Sequence, residues 1–377
     1  MKITRTVLTG GCAALTALTL MTGYAQAAAS SPPPRSVLQS QMEALVAAGA
    51  PGVNVEVRDE KGTWNGVAGT GDTTTNSAPN AGGKFRIGSV TKTFTATVIM
   101  QLVAEKHIEL DASINEYLPG LLPYAEPISV RQLLRHQSGL FDYGDVVWAS
   151  PQVAYDNRNN NYAPAQLVEI ATREPLQFTP GSQFGYSNTD YIVLAMLIEK
   201  VTDHSFATEL KKRIIRPLKL RDTSLAGSSP TLKNPSMRGY ETLSDAGELT
   251  DVTRYNMSVS WATGAITSTT SDVNRFYKAL LTGSLLPKAQ LQQMKETVDA
   301  FPGFGYGLGL AGGEICGHTI WGHVGGVPGY QTSSFTSDDG KRQITISTNR
   351  SLSQPSTAED ATNSLLATEF CGKPPKK

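Results

Sequence analysis

Gly88-Ser89-Val90-Thr91-Lys92-Thr93-Phe94 lies between a short apolar run, Phe85-Arg86-Ile87, and a helical pattern. From Val90 the apolar residues recur at Phe94, Val98 and Leu102, with Ile99 and Val103 beside them, which predicts a buried helix ending near Lys106. Residues three apart share a helix face, so Ser89 and Lys92 project side by side from its first turn. A serine hydroxyl is a weak nucleophile until a base takes its proton. A lysine in a partly desolvated pocket can lose its charge and become that base. A serine at the helix start also sets its own backbone N–H against a developing oxyanion. The bland reading of the same pair is a helix cap followed by a solvated lysine, and the neighbours decide between the two.

Outward from this stretch, the pattern is of strands at both ends and helices between. Val37 to Ala48 reads as a helix, and Gly52 to Arg58 alternates with Val at every second place before the turn Asp59-Glu60-Lys61-Gly62. Ser129 can cap a short helix through Leu134, and further helices are predicted over Ala165 to Thr172, Thr189 to Val201, Phe206 to Ile215 and Asp272 to Leu281. Beyond Phe304 the strands return: Tyr306 to Leu310, His318 to Trp321, Tyr330 to Thr336 and Gln343 to Thr348, followed by a last helix, Thr357 to Phe370. The expectation is an α+β fold in which an antiparallel sheet drawn from both termini is flanked by helices, with a mainly helical region inserted (sheet part about 37–88 and 286–377, helical part about 89–285).

The 377 residues, 40% of them apolar, suffice for a substantial core. Lys plus Arg and Asp plus Glu both number 33, so no global field draws nucleic acid or an anionic membrane. Residues 1–27 carry Lys2 and Arg5, an apolar stretch to about Met21 and Ala25-Gln26-Ala27, the pattern of a cleaved export signal. The expectations are therefore a secreted protein with no membrane anchor after cleavage, and a linker over the Ala-, Ser- and Pro-rich residues 28–36. Cleavage removes Cys12. Cys316 and Cys371 remain, and outside the cytoplasm they suggest one disulfide, the alternative being two free buried thiols. No Cys or His spacing resembles a metal site, and no cofactor is expected.

Two neighbours bear on Ser89 and Lys92. In Gly185-Tyr186-Ser187-Asn188, Tyr186 and Asn188 can point into one cleft, the first to move protons and the second to donate to a substrate carbonyl. In Trp321-Gly322-His323-Val324-Gly325-Gly326 the glycines let a substrate backbone approach a strand. Ser-x-x-Lys, Tyr-x-Asn and His-x-Gly in this order resemble the penicillin-recognising serine hydrolases, in the branch of class C β-lactamases, secreted DD-carboxypeptidases and D-stereospecific amidohydrolases. The similarity extends to His136-Gln137-Ser138-Gly139-Leu140 and Tyr306-Gly307-Leu308-Gly309-Leu310 and covers nearly all of the mature chain. It implies the serine β-lactamase/DD-peptidase-like fold, Ser89 as nucleophile, Lys92 as general base, Tyr186 as proton shuttle, Asn188 as a substrate-amide contact and His323 as an electrostatic helper. It further implies an oxyanion hole from the N–H groups of Ser89 and Gly326, with Val324 and Gly325 beside the substrate and Trp261 in the acyl pocket. Phe141 and Tyr143 are candidates for the cleft wall.

The chain departs from the DD-carboxypeptidase pattern, in which His-Thr-Gly-Thr and an Arg past the Gly-Leu-Gly-Leu strand bind a free carboxylate. Val324, Gly326 and Ala311-Gly312-Gly313-Glu314 stand at those places, with Arg342 and Arg350 as alternative cations. The expected substrate is a small molecule or peptide with a D-residue whose leaving group carries no nearby carboxylate, with water or an amine as acyl acceptor. A D-stereospecific amidohydrolase or D-peptidase is thus expected, acting as a monomer. The alternatives are a DD-carboxypeptidase or transpeptidase, a β-lactamase, and a non-catalytic wall-binding or penicillin-sensing module.

Overall fold

The computed structural model describes residues 31–244 and 247–375, so the predicted export signal and residues 28–30 of the linker lie outside the described part. The first helix opens at Arg35 (Arg35–Ala47), two residues ahead of expectation. Its Arg35 guanidinium grips the Asp59 carboxylate with two bonds of 2.7 and 2.8 Å. Just before it, the carbonyls of Pro32 and Pro33 accept from Lys61 Nζ.

The strands in chain order are β1 (Gly52–Asp59), β2 (Gly62–Gly69), β3 (Phe85–Arg86), β4 (Ser224–Leu225), β5 (Tyr240–Thr242), β6 (Leu249–Asp251), β7 (Ile266–Ser268), β8 (Val298–Phe301), β9 (Phe304–Tyr306), β10 (Ala311–Ile315), β11 (His318–Val327), β12 (Tyr330–Ser337) and β13 (Gln343–Thr348). Eight of them form one antiparallel sheet in the order β2-β1-β13-β12-β11-β10-β9-β8, so the two ends of the chain meet at β1 and β13 as the sequence pattern implied. A small sheet, β3-β7-β4, lies beside the serine-bearing helix Val90–Ala104.

Val55, Ile346, Ser333 and Val324 stand opposite one another across β1, β13, β12 and β11 and therefore share a face. That face is covered by Leu38, Met42 and Leu45 of the first helix and by Leu365, Leu366 and Phe370 of the last (Ser356–Cys371), which close a core around the valines and isoleucines. The opposite face meets the inserted helices, and Thr270–Leu281 packs on β1, β12 and β13. Phe94 on the serine-bearing helix stacks on Phe276 at 3.6 Å between ring centroids, joining that helix to the same layer.

Cys316, at the β10–β11 turn, is bonded to Cys371 at the end of the last helix, closing a span of 55 residues. A closed loop of that size removes chain entropy from the unfolded state worth about 2–4 kcal/mol. The double variant Cys316→Ser/Cys371→Ser is expected to lose that much in a denaturant titration. An unchanged midpoint would show that the bond adds nothing to the helix packing.

The site is placed by how β11 ends. Among the described residues, β10 pairs only with residues 318–322 of β11, so the edge from His323 to Val327 has no described strand partner on that side. The turn before the serine-bearing helix occupies this position. Gly88 there has φ +53°, a left-handed conformation that suits glycine. A Cβ on Gly325 would lie 2.6 Å from the backbone nitrogen of Ser89, so only glycine permits this approach.

Candidate active site

Ser89 begins its helix with backbone angles that are already helical, and its side chain makes no capping bond. The hydroxyl instead meets Lys92, whose Nζ lies 3.0 Å from Oγ. Lys92 is completely buried. Neither half of the cap-and-solvated-lysine reading therefore holds. Nζ also reaches Asn188 Oδ1 at 2.7 Å and the Thr263 carbonyl at 3.1 Å. Burial of the amine pushes its pKa down to about 7, against the upward pull of the Asp142 and Asp190 carboxyls. Near neutrality a large share of Lys92 is thus an uncharged amine within reach of a serine hydroxyl.

Asn188 opens the helix Asn188–Thr202, which Ser187 caps by accepting from the Thr189 N–H. Its carboxamide bridges two groups: Oδ1 faces Lys92, and Nδ2 lies 2.9 and 3.2 Å from the Asp142 carboxylate. This is a part the sequence did not assign to it. Tyr186, in the preceding loop, presents its ring to Lys92, with Nζ 4.9 Å from the centroid. Behind Tyr186 packs the buried His136 ring, 4.2 Å away. His136 Nδ1 is 2.7 Å from Asp190 Oδ2, and the Ser138 hydroxyl donates to Asp190 Oδ1. Burial raises the Asp190 pKa and lowers that of His136, so both are driven toward uncharged forms.

His323 comes from the open end of β11. It is fully buried, with Nε2 2.9 Å from the Tyr306 hydroxyl and Nδ1 bonded to the Val324 carbonyl. Burial, with Lys92 nearby, holds its pKa down to about 3. In that form the imidazole supplies a hydrogen bond and a dipole rather than a charge. Tyr143 is corrected: it is fully buried and forms no wall. Its hydroxyl donates to the Val259 carbonyl at 2.7 Å and lies 3.3 Å from Thr263 Oγ1, bracing the residue whose carbonyl meets Lys92. Trp261, at the head of the short helix Trp261–Gly264, is half-buried and stands edge-on to Phe206.

A family model described as Beta-lactamase matches residues 36–369 of the chain. The chain belongs to the beta-lactamase family. A solved D-stereospecific amidohydrolase from Streptomyces sp. is 36% identical, with a TM-score of 0.82 over 90% of this chain and 100% of that one. A D-amino acid amidase from Ochrobactrum anthropi SV3, solved with L-phenylalanine amide, is 25% identical, with a TM-score of 0.78 over 88% and 97% of the two chains. Among curated proteins, Penicillin-binding protein 4* of Bacillus subtilis is 29% identical over 71% of this chain, and a D-aminopeptidase of Brucella anthropi is 28% identical over 75%. The chain spans only 60% and 53% of the lengths of those two.

Within this beta-lactamase-family chain, the positions expected to hold a substrate carboxylate read differently in three dimensions. Val324 shares the sheet face of Val55 and Ile346 and is 3% exposed, inside the apolar layer of the terminal helices. Of the predicted strand motif only Gly326 is even half-exposed. Glu314 does not occupy the cleft position assigned to it. It pairs with Thr319 near the β10–β11 turn, and its carboxylate accepts from the Thr319 hydroxyl. The slip arises because the strand after Tyr306 begins at Ala311, with Gly307 to Leu310 outside it. Arg342 reaches Glu369, and Arg350 is tied to Ser353 and Thr242, so neither is directed to Ser89.

Asp142 and Asp190 are the buried carboxyls near Lys92 that sequence reasoning missed, and His136 stood in a recognised motif without a role. Asp190 had a signal, a lone carboxylate ahead of the apolar run Tyr191-Ile192-Val193-Leu194. Asp142 had none, since its neighbours form no periodic pattern.

Proposed function

We propose that this chain is a secreted serine hydrolase that cleaves the amide, peptide or ester bond of a D-amino-acid substrate through an acyl-enzyme on Ser89. The observation that carries the reading is the uncharged-amine environment of Lys92, 3.0 Å from the Ser89 hydroxyl. In the proposed reaction Lys92 Nζ takes the hydroxyl proton as Oγ bonds to the substrate carbonyl carbon. The backbone N–H groups of Ser89 and Gly326 receive the oxyanion. The proton passes by way of the Tyr186 hydroxyl to the departing nitrogen or oxygen, the bond to it breaks, and an ester on Ser89 remains. Water, or an amine, then releases the acyl group by the same steps reversed in role.

Support for a D-residue on the acyl side comes from the likeness to the D-stereospecific amidohydrolase of Streptomyces sp.. Support for a leaving group without a carboxylate comes from the placement of Arg342 and Arg350, both engaged elsewhere. A carboxylate brought into a cleft without a partner loses solvation it does not recover.

A substrate panel tests the reading. D-phenylalanine amide is expected to be hydrolysed with kcat/KM at least about tenfold above that of D-Ala-D-Ala as the free acid, a difference of about 1.4 kcal/mol. L-phenylalanine amide should lag the D-enantiomer. Preference for the free acid would replace this reading with a DD-carboxypeptidase, and rapid turnover of a chromogenic cephalosporin with a β-lactamase.

A further inference from the structure

Lys92 has three acceptors around Nζ: Asn188 Oδ1, the Thr263 carbonyl and Ser89 Oγ. An uncharged amine has two hydrogens and one lone pair. The two carbonyl oxygens can only accept, so they take the two hydrogens, and the lone pair is left for the hydroxyl, which can donate. This division depends on which end of the Asn188 carboxamide faces the lysine. The two ends are alike in shape, and only the surroundings fix which way they point. With the amide turned over, Nδ2 would face the amine as a second donor and draw the lone pair from Ser89.

The group on the other side of Asn188 is Asp142. Its carboxylate takes the Asn188 Nδ2 at 2.9 and 3.2 Å and is itself held by the Gly144 N–H at 2.8 Å. A carboxylate can only accept, so a turned-over amide would set oxygen against oxygen. Gly144 stands close to both groups, since a Cβ added there would lie 3.0 Å from Asp142 Oδ1 and 3.1 Å from Asn188 Nδ2. Asp142 itself is 8% exposed.

We propose that Asp142 is a positioning residue for this reaction: its carboxylate sets which end of the Asn188 carboxamide faces Lys92, and so aims the lysine lone pair at Ser89. The inference rests on the acyl-enzyme reading above. It adds a chain of polarity running Asp142, Asn188, Lys92, Ser89, in which the first member never touches substrate. The titratable groups facing Lys92 from the packed elements are Asp142, Asp190, His136, His323, Tyr186 and Tyr191. Of these, Asp142 and Asp190 are the acidic groups that raise the pKa of the amine. Asp145 is the neighbouring carboxylate facing Asp142.

The test uses two substitutions that separate shape from polarity. Asp142→Asn keeps the shape and loses the acceptor-only character; Asp142→Glu keeps the acceptor and loses the shape. Each is assayed by the rate at which a serine-directed fluorophosphonate labels Ser89, followed by mass spectrometry across pH, with thermal melts alongside. Asp142→Asn is expected to label about ten- to a hundredfold more slowly than the wild type. Its acid limb should move to lower pH, because a negative charge beside Lys92 is gone. Asp142→Glu should label faster than Asp142→Asn. An Asn variant with wild-type rate and limb, or one that outruns the Glu variant, overturns the role even where its melting temperature falls. Should the Asn variant not fold, Asp142→Glu decides alone, and labelling as slow as Ser89→Ala would overturn the proposal. Failure of the wild-type protein to label at Ser89 would instead overturn the acyl-enzyme reading, and this inference with it.

Discussion

Ser89→Ala is expected to abolish hydrolysis of every amide and ester in the panel, a loss on the order of 10⁴- to 10⁶-fold, as the proposed acyl-enzyme on Ser89 requires. The structure makes this a test of chemistry rather than of folding. The Ser89 side chain caps nothing, and among the described residues its hydroxyl's hydrogen-bonding partner is Lys92. Removing a single oxygen at 7% exposure should therefore move stability by no more than about 1 kcal/mol. Steady-state kinetics beside a thermal melt, with intact-mass analysis after fluorophosphonate treatment, would show it. Turnover that survives in a folded Ser89→Ala protein would place the nucleophile elsewhere.

Lys92→Met is expected to lower kcat by about 10²- to 10⁴-fold, the range a positioned base supplies. Unlike the serine variant it should also lose stability. Asn188 Oδ1 and the Thr263 carbonyl would each lose a buried partner, at about 1–3 kcal/mol apiece. The pH profile provides the sharper reading. A protonated lysine cannot accept a proton, and burial sets its pKa at about 7, so wild-type kcat/KM should rise with pH through about 7. That limb should vanish in Lys92→Met, leaving a low rate that no longer tracks pH there. A limb that persists unchanged in the variant would belong to another group.

The helix bearing Ser89, the Tyr186–Asn188 turn and the strands around β1 and β13 were legible because each follows from periodicity or from a short motif. Predicted Gln343 to Thr348 and observed β13 coincide, and the helix expected over Thr189 to Val201 differs by one residue at each end. β11 was not legible beyond Trp321. Glycines at 322, 325 and 326 weaken a strand signal, yet β11 runs through them to Val327. The reason lies outside the strand: Gly322 packs against the backbone of Ser334, and Gly325 against that of Ser89. Such close approaches have no trace in local pattern. The same holds for the deeper site. Ser89 and Lys92 are three residues apart and could be paired on sight, whereas Asp142 and Asn188 lie 46 apart and are joined only by the fold. His323 was visible as a residue, but its neutrality follows from complete burial, which a motif does not record.

The meeting of the two chain ends within one sheet also orders events in time. Gly52 and Asn349, 297 positions apart, are bonded directly at 2.6 Å beside the β1–β13 pairing. Contacts so distant form late, because the intervening chain must first be gathered in. Synthesis delivers Ser89 and Lys92 early, but the glycine edge of β11 that backs the serine comes more than 200 positions later. A growing chain therefore carries Ser89 and Lys92 before the strand that backs them exists.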